Sequence, residues 1–198
     1  MGYLLLLVTL WTESPHHRAL WMGSVAAFLV IFTLGSGYSK RELGFEAPPW
    51  LGTLRIFAIG LGAATAIAVT AKLLEQNIPA NPNWPSARSA WEYAIWAMVQ
   101  QFILQSFFYV RLETMLGAER AVPTTALLFA SAHLPNPILT VGTLVAGLFF
   151  CEMFRRYRSL YPLGIVHAAL GLAVAATLPD SLIHHLRVGI GYFQFHTH

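Results

Sequence analysis

Phe129-Ala-Ser-Ala-His133-Leu-Pro-Asn-Pro137 decides how this chain is read, because an apolar run ends there on a histidine and two prolines. The run itself, Val122–His133, has twelve residues. As a helix that is about 18 Å, short of a bilayer core of about 30 Å. The sequence therefore predicts a helix that stops inside the membrane and a chain that turns at Leu-Pro-Asn-Pro. Broken backbone at membrane depth is tolerated only where protein or a wet cavity covers it. His133 sits at that break, and a polar side chain in hydrocarbon is costly enough to mark a site by default.

The rest of the chain supplies the membrane setting. Of its 198 residues 56% are hydrophobic and 11% charged, whereas a soluble domain carries about 25% charged residues. Apolar segments run over Leu20–Leu34, Leu51–Leu74, Ala90–Val110, Val122–His133, Ile138–Phe154 and Leu163–Leu178. Between them lie Gly35-Ser-Gly37, Pro48-Pro49, the Asn77–Pro85 stretch, Pro123, Pro135-Asn-Pro137 and Tyr161-Pro162, which read as loops because Pro and Gly punctuate helices. The runs are continuous rather than alternating, so helices are expected and a barrel is not. The expected fold is all-α: one polytopic membrane bundle over residues 1–198, with about six to seven transmembrane or half-membrane helices. Met1–Trp11 has no basic n-region and is too short to span; it reads as a short or tilted helix packed on the others, or as a span that starts upstream.

Charge sets topology here rather than a partner. The net charge is +3, and no basic run interleaves with exposed aromatics, so nucleic acid is not an expected partner. Alternating sides from Leu20 gathers Lys40, Arg41, Arg55, Arg111, Arg120, Arg155, Arg156 and Arg158 on one side, against Arg18, Lys72, Arg88 and Arg187 on the other. The positive-inside rule makes the richer side cytoplasmic, with the C-terminal tail outside, as in a bacterial inner membrane. Trp11, Trp21, Trp50, Trp84, Trp91 and Trp96 read mostly as an aromatic belt at span ends. The single cysteine, Cys151, says nothing about redox compartment.

Polar groups inside the apolar runs point to one region. Gln100, Gln101 and Gln105 lie on the Ala90–Val110 segment, with Gln101 and Gln105 on one helix face. His133 and His167 come from two further segments, and Gly171 is one turn beyond His167. Such groups often only bridge helices, at about 0.6–2 kcal/mol each. The set beside a helix break reads as a present or former site.

Gln100-Gln101-x-x-x-Gln105, Phe129-x-x-x-His133 and His167-x-x-x-Gly171 resemble, in order and setting, the three signatures of the CPBP family. These are the CAAX-type, glutamic-type intramembrane proteases, with Glu-Glu-x-x-x-Arg, Phe-x-x-x-His and His-x-x-x-Asn. The resemblance covers about Trp91–Leu178, the protease-like core. It implies that a glutamate would activate water while histidines and an asparagine orient it and stabilise the oxyanion. Carried over, Gln100 and Gln101 stand at the paired-glutamate positions, Gln105 at the arginine, His133 and His167 at the histidines, and Gly171 at the asparagine. A glutamine cannot act as a general base. The three glutamines read as one correlated neutralisation of a buried charge cluster, and removing a whole ion network can be neutral where removing one partner is not.

No other carboxylate replaces the missing ones. Glu92 and Glu113 lie about 13 and 18 Å along the helix from Gln101, and Glu152 is spaced to pair with Arg155 and Arg156. Three readings follow. The first is a non-proteolytic subunit or chaperone, a pseudoenzyme that binds another membrane protein or a lipid-like ligand in the old cavity. The second is an intramembrane endopeptidase using His133 and His167. The third is a haem- or pigment-binding subunit with one of those histidines as axial ligand; two histidines alone fall short of the usual metal ligand set. Elsewhere, His184-His185 and His196-x-His198 read as solvated, His16-His17-Arg18 as an interfacial anchor, and Gly60, Gly62 and Ala63-Ala64 as an intramolecular packing face. The tail Val188–Phe195 is expected to cover the site or to dock on a partner.

Overall fold

The computed structural model describes residues 1–74 and 86–194. The loop expected over Asn77–Pro85, with Trp84, and the His196-x-His198 pair lie outside them, as does the last residue of the apolar tail. Among the described residues every regular element is helical apart from one isolated bridge, Phe45 to Ser159.

Each apolar run becomes a helix. α1 is Gly2–Leu10, α2 Pro15–Leu34 and α3 Trp50–Leu74. α4, Ala87–Gln101, continues through a π-helical stretch, Phe102–Tyr109, into α5, Val110–Leu116. α6 is Ala118–Ser131, α7 Pro137–Tyr157 and α8 Tyr161–Thr177. Two short turns, α9 (Asp180–Ile183) and α10 (Ile190–Phe193), end the chain on either side of a 3₁₀ turn at His184–Leu186. α2, α3 and α7 are long and apolar enough to cross a membrane, and most of their surface is left for lipid.

α6 starts four residues before the run that announced it and takes Pro123 into its interior. Proline removes one intrahelical bond there but does not end the helix. At 14 residues α6 is the short element expected. The turn that follows, with Leu134–Pro135 cis, leads directly into α7. Because α7 has 21 residues, about 31 Å, it is itself of full spanning length. The turn therefore lies near one end of a span rather than half-way down it.

Small residues let the helices close up. Gly52, Ile56, Gly60 and Ala64 recur every fourth residue and form the buried stripe of α3. A Cβ on Gly60 would run into Val166 of α8, and one on Gly52 would meet the Tyr157 ring. Gly62 faces open space, so only part of the small-residue run is the packing face. α8 meets α4 in the same way, with Gly164 against Met98. In a bilayer such van der Waals fit replaces the hydrophobic drive as the force between helices.

One end of the bundle gathers the basic groups. Arg158 pairs with Glu113 at 2.5 Å, Arg155 and Arg156 both hold Glu152, and Arg55 donates to the Tyr157 hydroxyl at 3.3 Å. Arg111 reaches Ser36 at 3.2 Å, and the amide of Leu160 donates to the Gly44 carbonyl, tying the loop after α2 to the head of α8. α1 packs on α2, and its Tyr3 hydroxyl is 2.7 Å from Ser131 at the end of α6. Its nine residues thus pack on the rest of the bundle.

Candidate functional site

The Ala90–Val110 run was expected as plain α-helix, but its centre is π-helical, and seven of those eight residues are buried. No Pro or Gly interrupts this stretch, so nothing in its residue pattern marks the wider turn. π turns in α-helices are frequent at functional sites. Carbonyls that lose regular partners at its end are met by Arg111, which donates to Ser106 O at 3.2 Å and Phe107 O at 2.9 Å. The Ser106 hydroxyl donates to the Leu43 carbonyl at 2.7 Å.

The π stretch begins one residue after Gln101 and turns Gln105 toward it. Gln105 Nε2 donates to Gln101 Oε1 at 3.3 Å, and Gln101 Nε2 donates to His167 Nδ1 at 3.1 Å. Both glutamines are fully buried. In this assignment His167 Nδ1 accepts, so its ring proton sits on Nε2. Gln105 Oε1 has no partner in hydrogen-bonding geometry, although the buried Cys151 thiol lies close enough to interact with Gln105. A thiol is a weak donor, so this contact leaves Gln105 Oε1 without a full hydrogen bond. His167 is held further by the rings of Phe129, edge-on at 5.8 Å, and Phe150 at 5.3 Å.

His133 is fixed differently. Its Nδ1 lies 2.7 Å from the Phe129 carbonyl, one turn back. A carbonyl can only accept, so Nδ1 carries the proton and Nε2 keeps the lone pair. The Phe129 ring stands edge-on to His133 at 4.8 Å and so bridges the two histidines.

Gln100 parts company with Gln101. It is half-buried and faces a cavity of about 440 Å³ that His133, His167 and Gly171 also line. A lobe of about 90 Å³, reaching Tyr3 and Leu6 of α1, shares Gln100, Phe129 and His133 with it. This size suits a small ligand or the head of a larger one. Among the described residues, neither lobe has an Asp, Glu, Lys or Arg in its wall. Among the described residues no three His, Cys, Asp or Glu side chains gather where a metal ion could be held. Glu92 pairs with Arg88 at the surface, while Glu113 and Glu152 are held by arginines at the basic end.

Gly171 was expected only as a missing asparagine. A Cβ there would fall onto the hydroxyl of Tyr93, a residue of α4 that lines the same cavity. Sequence reasoning missed Tyr93, although it precedes Gln100 by seven residues and so shares its helix face. Trp96, read as part of an aromatic belt, also lines the cavity.

The tail closes one side. Asn136 Nδ2 donates to the carbonyls of Ile183 at 2.9 Å and Arg187 at 3.3 Å, and Gly189 N donates to Leu134 O at 2.8 Å. Asn136 Oδ1 meanwhile caps α7 through Leu139 N. Arg18 donates to Gln194 at 3.0 Å, and Gln194 to Glu13 O. His184 is half-buried rather than solvated, its ring stacked on Tyr192 with centroids 4.1 Å apart, whereas His185 is exposed as expected, although it pairs with Asp180 at 2.9 Å and lines one side of the cavity.

No curated protein and no solved structure matches the chain. Residues 83–173 match the family model for type II CAAX prenyl endopeptidase Rce1-like proteins. That stretch, somewhat under half of the chain, carries Gln100, Gln101, Gln105, His133, His167 and Gly171, and over it the chain is similar to the CAAX-protease-like (CPBP) membrane proteins.

Proposed function

We propose that this protein is non-proteolytic and uses the cavity to hold an apolar ligand or a segment of another membrane protein, as a subunit or chaperone. The observation that carries the reading is the neutral chain Gln105–Gln101–His167, with Glu92, Glu113 and Glu152 each held by arginine away from it. A water-activating base needs a titratable group at the reacting atom, and a glutamine amide is not one. The basic end faces the cytoplasm and the tail lies outside, by the positive-inside rule. The test is incubation of the purified protein with prenylated and transmembrane peptides. Intact peptides are expected; cleavage that His133→Ala abolishes would refute the reading. Extraction in mild detergent with a companion at fixed stoichiometry would supply the partner.

A second reading has one observation in its favour. His133 Nε2 keeps its lone pair beside the cavity, so a histidine-based peptidase has a base available. It requires both histidines, and full activity in a His133→Ala variant would exclude it. The same lone pair would suit an axial ligand to haem or a chlorophyll-type pigment, which an absorption spectrum of the protein from its native membrane decides.

A further inference from the structure

The cavity wall specifies a chemistry as well as a volume. It is mostly apolar, with Trp96, Phe129, Phe150 and Leu170 among its larger faces. Among the described residues no Lys or Arg lines it, and His185 is paired with Asp180, so an anionic head would lose its hydration without a cation in return. The polar groups that remain are neutral and of both kinds. Among the described residues no hydrogen bond engages the Tyr93 hydroxyl or the Gln100 amide, which leaves both available as donors. His133 Nε2 is an acceptor. Gly171 is what admits the Tyr93 hydroxyl to this wall, since any Cβ there would displace it.

A head group that satisfies this wall must accept a hydrogen bond and donate one, and carry no charge. An ester oxygen beside a hydroxyl does so. We propose that the cavity binds an uncharged single-chain lipid of the monoacylglycerol class, with Tyr93 donating to a head oxygen and His133 Nε2 accepting from a head hydroxyl. This rests on the binding reading above and names its ligand class. The acyl chain lies along the apolar wall, and the tail segment around Leu186 and Val188 covers the cavity beside it.

The experiment is equilibrium binding of radiolabelled 1-monooleoylglycerol to the full chain in phosphatidylcholine nanodiscs. Its phosphorylated counterpart, 1-oleoylglycerol 3-phosphate, is the competitor. Saturable binding of one lipid per chain is expected, with the phosphate at least about tenfold weaker, the loss that 1.4 kcal/mol of uncompensated desolvation gives. Tyr93→Phe removes one neutral hydrogen bond and weakens binding about two- to tenfold. Gly171→Ala, which displaces the hydroxyl without removing it, is expected to do the same and to add little in the double variant. If Tyr93→Phe proves unstable, Gly171→Ala carries the test alone. Absence of saturable binding, equal binding of the phosphate, or unchanged affinity in both variants would overturn the proposal. Peptide cleavage has a separate readout: its appearance would refute the non-proteolytic reading and leave a positive lipid result standing.

Discussion

Replacing Gln101 by leucine is the sharpest test of the buried network. The substitution keeps approximate volume but removes the donor to His167 Nδ1 and the acceptor for Gln105 Nε2. Each orphaned buried group costs about 1–3 kcal/mol when nothing replaces its partner. Interhelical hydrogen bonds in membrane bundles usually cost less, about 0.6 kcal/mol, because other partners are found. Here rescue is blocked. Gln105 is fully buried, and His167, 7% exposed, is held between Phe129 and Phe150. The expected loss is therefore about 2–4 kcal/mol. For a chain of this length that is a fall in unfolding midpoint on the order of 4–16 °C. The assay is thermal unfolding in one fixed detergent, followed by helical circular dichroism. A second variant fixes the cause: Gln101→Leu/Gln105→Leu removes one of the two orphans and should be less destabilised than the sum of its singles. A single-variant shift under about 2 °C, or a double variant equal to the sum, would refute the reasoning.

Other expectations follow from single contacts. Gly60→Leu should cost about 1–3 kcal/mol by forcing α3 from Val166, whereas Gly62→Ala, facing open space, should be neutral or stabilise by up to about 1 kcal/mol; unfolding midpoints compare them. Asn136→Ala removes the cap of α7 and two of the tethers to the tail, so limited proteolysis should cut near residues 184–189 sooner than in the parent, and an unchanged cleavage pattern would contradict this. Glu42 is held below the ordinary carboxylate value by the Ser39 hydroxyl and then the Ser39 amide, so its contribution is present above that ordinary value and lost as pH falls through the lowered one; Ser39→Ala should move the Glu42 carboxyl NMR titration upward. Gln100→Glu alone should not bring peptide cleavage, since no cation lines the cavity to hold the carboxylate; cleavage by that variant would show that one charge suffices.

The bundle was legible because hydrophobic length and Pro-Gly breaks both act locally. Leu51–Leu74 became Trp50–Leu74 almost residue for residue, and Pro137 opened α7 where the sequence turned. Pro123 misled, because a proline well inside α6 costs a hydrogen bond without ending a helix already held by packing. The meeting of Gln101, Gln105 and His167 could be anticipated from spacing. The division of labour between Gln100 and Gln101 could not, because a one-residue shift turns a side chain about 100° around the helix and the π stretch resets the register below it. Tyr93 and the tail were missed for a related reason. Their roles are set by contacts across 78 residues in one case and about 50 in the other, from Gly171 and Asn136 respectively.

The four departures from the family pattern answer one another physically. An arginine at position 105 would be buried against Gln101 with no carboxylate at hand, and a lone glutamate at 101 would face His167 and Gln105 without a cation. Either single change strands a charge in hydrocarbon-like surroundings, which is far more costly than losing the pair. Gln105 and Gln101 instead pass a run of neutral hydrogen bonds to His167, while Gln100 turns to the cavity. Loss of the side chain at position 171 then leaves room on the cavity wall, and Tyr93 from the facing helix fills it with a hydroxyl. The reactive charges are absent while the enclosure, the two histidines and a new polar contact persist. These neutral donors and acceptors, Tyr93, Gln100 and His133 among them, are the groups that the uncharged occupant proposed above would engage.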